Sequence, residues 1–156
     1  MPYSYEPHHF EDFAVGQKFE TIGRTVTETD FVNQASLSGD WGEYHTNDEY
    51  ASENLFGERI AQAPLTFSIS LGLMANAGFL ARTAAGLAGM AETNYPRVVS
   101  IGDTLSAGIT VTDTADVSRE DAGIIKLEMV TSNQNEDVVF ETTLTVFVLR
   151  ASNEAE

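Results

Sequence analysis

The sequence predicts an α+β fold, a single domain in which an antiparallel sheet wraps around one long central helix. Three observations predict it. The last third of the chain alternates apolar and polar residues with a period of two, the signature of half-buried strands. Residues 60–81 carry no charge, as a helix enclosed by the rest of a fold would. The chain has 156 residues, which suits one domain and one core rather than two.

The elements follow in order. Residues 18–26, rich in Thr, Ile, Phe and Val, read as the first strand. Thr27, with Asp30 three residues on, reads as a short capping box, and Glu28 favours the positive end of a helix that stops near Ser38-Gly39. Residues 40–62 read as loop and short helix, with Thr46 or Asn47 as a cap. A longer helix is expected over about 65–80. Leu65, Ile69, Leu73 and Leu80 follow one side of it, and Phe67, Leu71 and Met74 another. The uncharged run is long enough to suggest a bilayer span, but Gln62, Pro64, Thr66, Ser68, Ser70 and Asn76 interrupt it, so a buried helix is expected instead. Leu105, Ala107, Ile109 and Val111 then alternate with polar or small residues, as do Ile125, Leu127 and Met129, and later Leu144, Val146 and Val148. Turn clusters at 119–123 and 133–137 join these runs into hairpins. Residues 1–9 and 151–156 read as loose ends flanking a domain over 10–150.

Composition excludes several classes of function. There are no cysteines, which removes disulfides, thiolate metal sites and cysteine nucleophiles. A net charge of −16, from 24 acidic and 8 basic residues, opposes binding to nucleic acid or to an anionic membrane. The polar start lacks the apolar core of a signal peptide, so a cytoplasmic protein is expected. Such an acidic, lysine-poor surface fits a high-salt cytoplasm, where screening relieves self-repulsion, and fits a plainly acidic protein nearly as well. Thermal unfolding separates the two: salt adaptation predicts a higher midpoint in molar than in dilute salt, and plain acidity predicts no gain.

Few residues can carry chemistry. With three histidines, two of them adjacent at His8 and His9 near the start, no metal site is expected. Asp40 and His45 stand five residues apart in the loop after Ser38-Gly39. A carboxylate and an imidazole at that spacing can converge on one water and move its proton. By spacing alone, the same two residues read more readily as a turn-capping Asp and a half-exposed His.

The stretch Ser38-Gly39-Asp40-Trp41-Gly42-Glu43-Tyr44-His45 resembles the signature S-G-D-x-N-P-x-H of the MaoC-like hydratase/dehydratase family. The opening Phe10-Glu11-Asp12-Phe13-Ala14-Val15-Gly16-Gln17 with Gly23-Arg24-Thr25-Val26-Thr27-Glu28 is similar too. So are Phe56-Gly57-Glu58-Arg59-Ile60-Ala61, Gly102-Asp103-Thr104-Leu105 and Asn133-Gln134. The resemblance covers about residues 10–150 and implies a hot-dog fold and a homodimer or higher even oligomer. It also implies hydration or dehydration of an acyl thioester, on coenzyme A or an acyl carrier protein, without a cofactor. By the same resemblance Asp40 and His45 are the acid/base pair. The Ala63 N–H is the donor to the thioester carbonyl, with Gln62 and Ser68 ordering the site. Trp41, Phe56, Leu65, Phe67 and Met74 are candidates to line the acyl slot, and Arg59, Arg82, Arg97 or Arg119 to meet the coenzyme phosphates. The sequence departs from the family at Gly42, Glu43 and Gln62-Ala63, where Asn, Pro and His-Gly are usual. Two rivals stay open. One is a thioesterase, opposed by the lack of any acidic residue between Glu58 and Glu92. The other is a non-catalytic acyl-thioester-binding subunit.

Overall fold

A computed structural model describes residues 7–151. Six strands form one antiparallel sheet: β1 (Lys18–Glu20), β2 (Arg24–Thr25), β3 (Ala84–Asn94), β4 (Thr104–Asp116), β5 (Ala122–Ser132) and β6 (Val138–Leu149). Their order is β1-β4-β5-β6-β3, with β2 also on β4. The three C-terminal strands occur where the period-two pattern puts them. Leu105, Ala107, Ile109, Val111, Ile125, Leu127, Met129, Leu144, Val146 and Val148 all point into the core. Each such burial stabilises the fold by about 1.5–3 kcal/mol for a full-sized aliphatic side chain. The 133–137 turn closes the β5–β6 hairpin, Asn133 N–H donating to the Asp137 carbonyl at 3.0 Å.

Two strand expectations need correction. The run 18–26 is not one strand. After Glu20 the Thr21 hydroxyl accepts from the Ala107 N–H at 2.8 Å, replacing a ladder bond, and pairing resumes only at Arg24. Strand β3 has no counterpart in the sequence reading. Its Ala/Gly-rich sequence has a single β-branched residue, Thr93, and three register shifts against β6 break its alternation. It forms because the edge of β6 needs a hydrogen-bonding partner, not because its own residues prefer extension.

Among the described residues a single 3-10 turn, Phe10–Asp12, and four α-helices complete the fold: α1 (Glu28–Ser38), α2 (Glu43–Thr46), α3 (Asp48–Ser52) and α4 (Ala63–Asn76). At the start of α1 the Asp30 carboxylate accepts from the Thr27 N–H at 2.8 Å and the Thr27 hydroxyl at 2.9 Å. Burial raises the Asp30 pKa, but those donors and the Arg24 guanidinium outweigh it and hold the group below its ordinary value. Gly39 ends α1 in the left-handed conformation, φ +77°, where a side chain would be strained. Asn47 caps α3, its Oδ1 accepting from Tyr50 N–H at 3.1 Å.

The long helix, expected to run to residue 80, stops at Asn76, and Gly78 turns left-handed just beyond. Fourteen residues span about 21 Å, short of a bilayer core. Among the described residues no helix is long and apolar enough to cross a membrane. Helix α4 packs on β4 and β6 through Leu65, Thr66, Ile69, Ser70, Leu73 and Met74. Its other face, with Pro64, Ser68, Gly72 and Ala75, is exposed, so the expected enclosure on most of its circumference is one-sided in a single chain.

The inner end of the N-terminal lead is tied down, against the expectation of a loose segment over 1–9. His8 N–H donates to the Phe79 carbonyl at 2.8 Å, and its ring lies among Phe13 and Phe19. Residues 1–6 and 152–156 lie outside the described residues.

Candidate functional site

The loop between α1 and α2 is built by its own short hydrogen bonds. Asp40 N–H donates to Ser38 Oγ at 3.1 Å, Gly42 N–H to Asp40 Oδ1 at 3.1 Å, and His45 N–H to the Gly42 carbonyl at 2.9 Å. The chain therefore curls around Asp40 and returns His45 toward it. Gly42 makes the close return possible: a Cβ there would lie 3.1 Å from Asp40 Oδ1 and 3.4 Å from the His45 ring.

His45 Nδ1 lies 2.7 Å from the Ile60 carbonyl, and Ile60 N–H donates to the Tyr44 carbonyl at 3.0 Å. A carbonyl only accepts, so Nδ1 carries a proton, and in the neutral imidazole Nε2 presents a lone pair. That lone pair faces Asp40 Oδ2 at 3.7 Å, too long for a direct hydrogen bond and short enough for one water to donate to both. His45 is mostly buried at 18 % side-chain exposure, whereas Asp40 at 51 % keeps one side open.

Both residues line a cavity of about 420 Å³ with Ile60, Ala61, Gln62, Ala63, Pro64, Thr66, Tyr95, Arg97, Val98 and Val99. Ala63 is the first residue of α4, where a helix leaves its N–H groups unpaired and its dipole favours negative charge. Pro64 follows and has no N–H to offer.

The structure brings together Asp40, His45, Gln62 and Ala63 and separates the others. Ser68 lines a second recess with Arg24, Asp30, Leu65, Ile69, Gly72 and Asn76. Trp41 is 57 % exposed, Phe56 packs edge-on against Tyr44, and Phe67 lies against Phe140. None of Trp41, Phe56, Leu65 and Phe67 lines the cavity that holds Asp40 and His45. Glu43 turns away, its carboxylate accepting from Asn47 Nδ2 at 3.0 Å, so its charge is not aimed at the pair. Among the described residues no three His, Asp or Glu side chains are grouped to hold a metal ion.

Sequence reasoning missed Tyr95, Val99 and the Ile60 carbonyl, and could not choose Arg97 from four arginines. No local spacing links 95–99 to 40–45. The link is the sheet-like bridge between Ile60 and Ser100, with Ala61 N–H donating to Val99 carbonyl at 2.7 Å. Arg59, next to Ile60, braces the same segment. It donates to Glu28 Oε2 and Asp48 Oδ1, each at 2.6 Å, tying the starts of α1 and α3 to the strap that orients His45. Those two carboxylates hold the guanidinium firmly charged, and the Arg59 hydrogen bond keeps Glu28 below its ordinary pKa.

Comparison with known proteins bears on the family and the fold. The sequence profile of the MaoC like domain matches residues 11–133. Protein MaoC of Klebsiella aerogenes is 35% identical over 102 residues, 65% of this chain and 30% of that protein, so the chain spans under a third of it. The (R)-specific enoyl-CoA hydratase of Rhodospirillum rubrum is 33% identical over 112 residues, 67% of this chain and 70% of that protein. A Mycobacterium tuberculosis protein with a double hot-dog fold superposes with a TM-score of 0.83 at 16% identity, over 96% of this chain and 46% of that one. The sheet packed on α4 is thus a hot-dog fold, and the chain belongs to the MaoC-like domain family.

Proposed function

We propose that the protein is a hydratase/dehydratase that adds water to, or removes it from, the 2,3 double bond of an acyl thioester, on coenzyme A in the first instance. The observation that carries this reading is the pair of acceptors, Asp40 Oδ2 and His45 Nε2, 3.7 Å apart on the wall of a largely apolar cavity. A water donating one hydrogen to each is oriented and polarised. As its oxygen bonds to C3, Nε2 takes one proton and the π electrons move toward the thioester carbonyl. The imidazolium then returns the proton to C2, and Asp40 stabilises it meanwhile. The carbonyl oxygen, where negative charge develops, meets the Ala63 N–H at the positive end of α4; losing such a donor costs roughly 3–4 kcal/mol of transition-state stabilisation. Arg97, which lines the cavity and pairs with Asp137 at 3.1 Å, is the arginine we assign to the anionic part of the carrier. The test is loss of the enoyl-thioester absorbance on incubation with 2-enoyl-CoA, or its appearance from a 3-hydroxyacyl-CoA. Release of free thiol without either change would favour a thioesterase.

The working unit in this proposal is a homodimer. Strand β3 is an open sheet edge 11 residues long that exposes Leu87 at 48 % and Met90 at 41 %, and such an edge pairs with another chain unless blocked. Light scattering on a sizing column should give twice the chain mass. Charging the edge with Leu87→Lys and Met90→Lys should halve it without unfolding the chain, because neither side chain is in the core. A wild-type protein of single-chain mass would refute the dimer.

A further inference from the structure

Gln62 is 2 % exposed, yet neither its Oε1 nor its Nε2 has a hydrogen-bond partner. Among the described residues the only other buried side-chain polar atom left so is Thr83 Oγ1. Folded proteins seldom keep both ends of a buried amide unpaired, because the lost hydration is not recovered, and a leucine or methionine would fill the same volume without that cost. Gln62 stands immediately before α4 on the wall of the Asp40–His45 cavity, and Thr66, 4 % exposed and one turn further along, shares that wall.

We infer that Gln62 is a specificity-determining residue whose amide hydrogen-bonds a neutral group able both to donate and to accept, a hydroxyl or a carboxamide, on the acyl portion of the substrate. The inference rests on the acyl-thioester reading above and narrows its substrate class. A plain alkyl chain would leave both amide atoms unpaired in the complex as well. A carboxylate accepts only and would leave Oε1 facing an anion. A hydroxyl or carboxamide satisfies both ends at once. Turning toward it breaks no hydrogen bond, since the amide has none to lose. Sites built around such a pair discriminate strongly against analogues lacking the polar group.

The test uses saturated thioesters, which bind without reacting: butyryl-CoA against 4-hydroxybutyryl-CoA, and pentanoyl-CoA against 5-hydroxypentanoyl-CoA, titrated calorimetrically into the full-length protein. The wild type should bind at least one hydroxylated ligand about 10- to 100-fold more tightly than its unsubstituted match. Gln62→Met should erase that preference and raise the unfolding temperature. Equal affinities within both pairs for the wild type, or a preference that survives in Gln62→Met, would overturn the inference. Wild-type protein that binds no acyl-CoA at all would instead overturn the proposed function. The wild-type comparison needs no variant, so poor folding of Gln62→Met does not blunt the test.

Discussion

Asp40→Asn should lower kcat/KM for a 2-enoyl-CoA by about 10²–10⁴-fold, the usual worth of a positioned acid/base group, and leave the fold intact. The structure explains why the two effects separate. Asp40 Oδ1 accepts the Gly42 N–H that shapes the loop, and the oxygen of an asparagine amide can still do so. What disappears is the charge on Oδ2, 3.7 Å from His45 Nε2, which in the proposed mechanism accepts from the water and stabilises the imidazolium. His45→Asn should cost as much for a complementary reason. Its amide N–H can still reach the Ile60 carbonyl that now takes the Nδ1 proton, so the strap stays closed while the free basic nitrogen is gone. If the two residues act on one water, the double variant should be little worse than the poorer single one, because groups working as a unit are not additive. The measurement is initial rates at saturating and sub-saturating enoyl-CoA, with circular dichroism and thermal unfolding as controls. Wild-type rates in both folded single variants would make the pair structural and remove the basis for hydratase chemistry.

Legibility in the sequence followed the range of the forces involved. Strands β4 to β6 were readable because β5, β6 and the first part of β4 are half-buried, so the core imposes a period of two on Leu105, Ile125, Leu144 and their neighbours. Helix α1 was readable from Thr27, Asp30 and Gly39, whose roles are local. Strand β3 was not, because an edge strand of alanine and glycine is recruited by β6 and carries little preference of its own. Within the site, Asp40 and His45 could be paired from one loop. The Ile60 carbonyl that fixes the His45 tautomer, and the Tyr95–Val99 wall opposite, arrive through long-range pairing that leaves no mark on local spacing. The same limit explains Trp41, Phe56 and Phe67. Their size and apolarity suggested a slot lining, but aromatic residues near a site look alike in sequence whether they pack on Tyr44, on Phe140 or on a ligand.

Phe140→Ala should be among the most destabilising single changes in the chain, at about 3–5 kcal/mol, or a fall of roughly 10 °C in unfolding temperature. Phe140 on β6 is fully buried, and its ring lies 5.7 Å from Phe67 of α4 and 5.1 Å from Tyr95, centroid to centroid. It thus joins sheet, helix and cavity wall at one point. Truncation removes the transfer energy of the ring and leaves a hole that rigid neighbours on two elements cannot both fill. Phe140→Leu retains most of the burial and should cost appreciably less, which keeps a folded variant available for kinetics. Tyr95 lines the cavity, whereas His45 is held separately by the Ile60 carbonyl and Asp40 by the hydrogen bonds of its own loop. Loosening Tyr95 in Phe140→Leu should therefore raise KM for the acyl thioester more than it lowers kcat. An unfolding free energy for Phe140→Ala within 1 kcal/mol of wild type would show that this junction is not where the helix is held to the sheet. A fall in kcat alone for Phe140→Leu would mean that the proton-transfer pair depends on β6 after all.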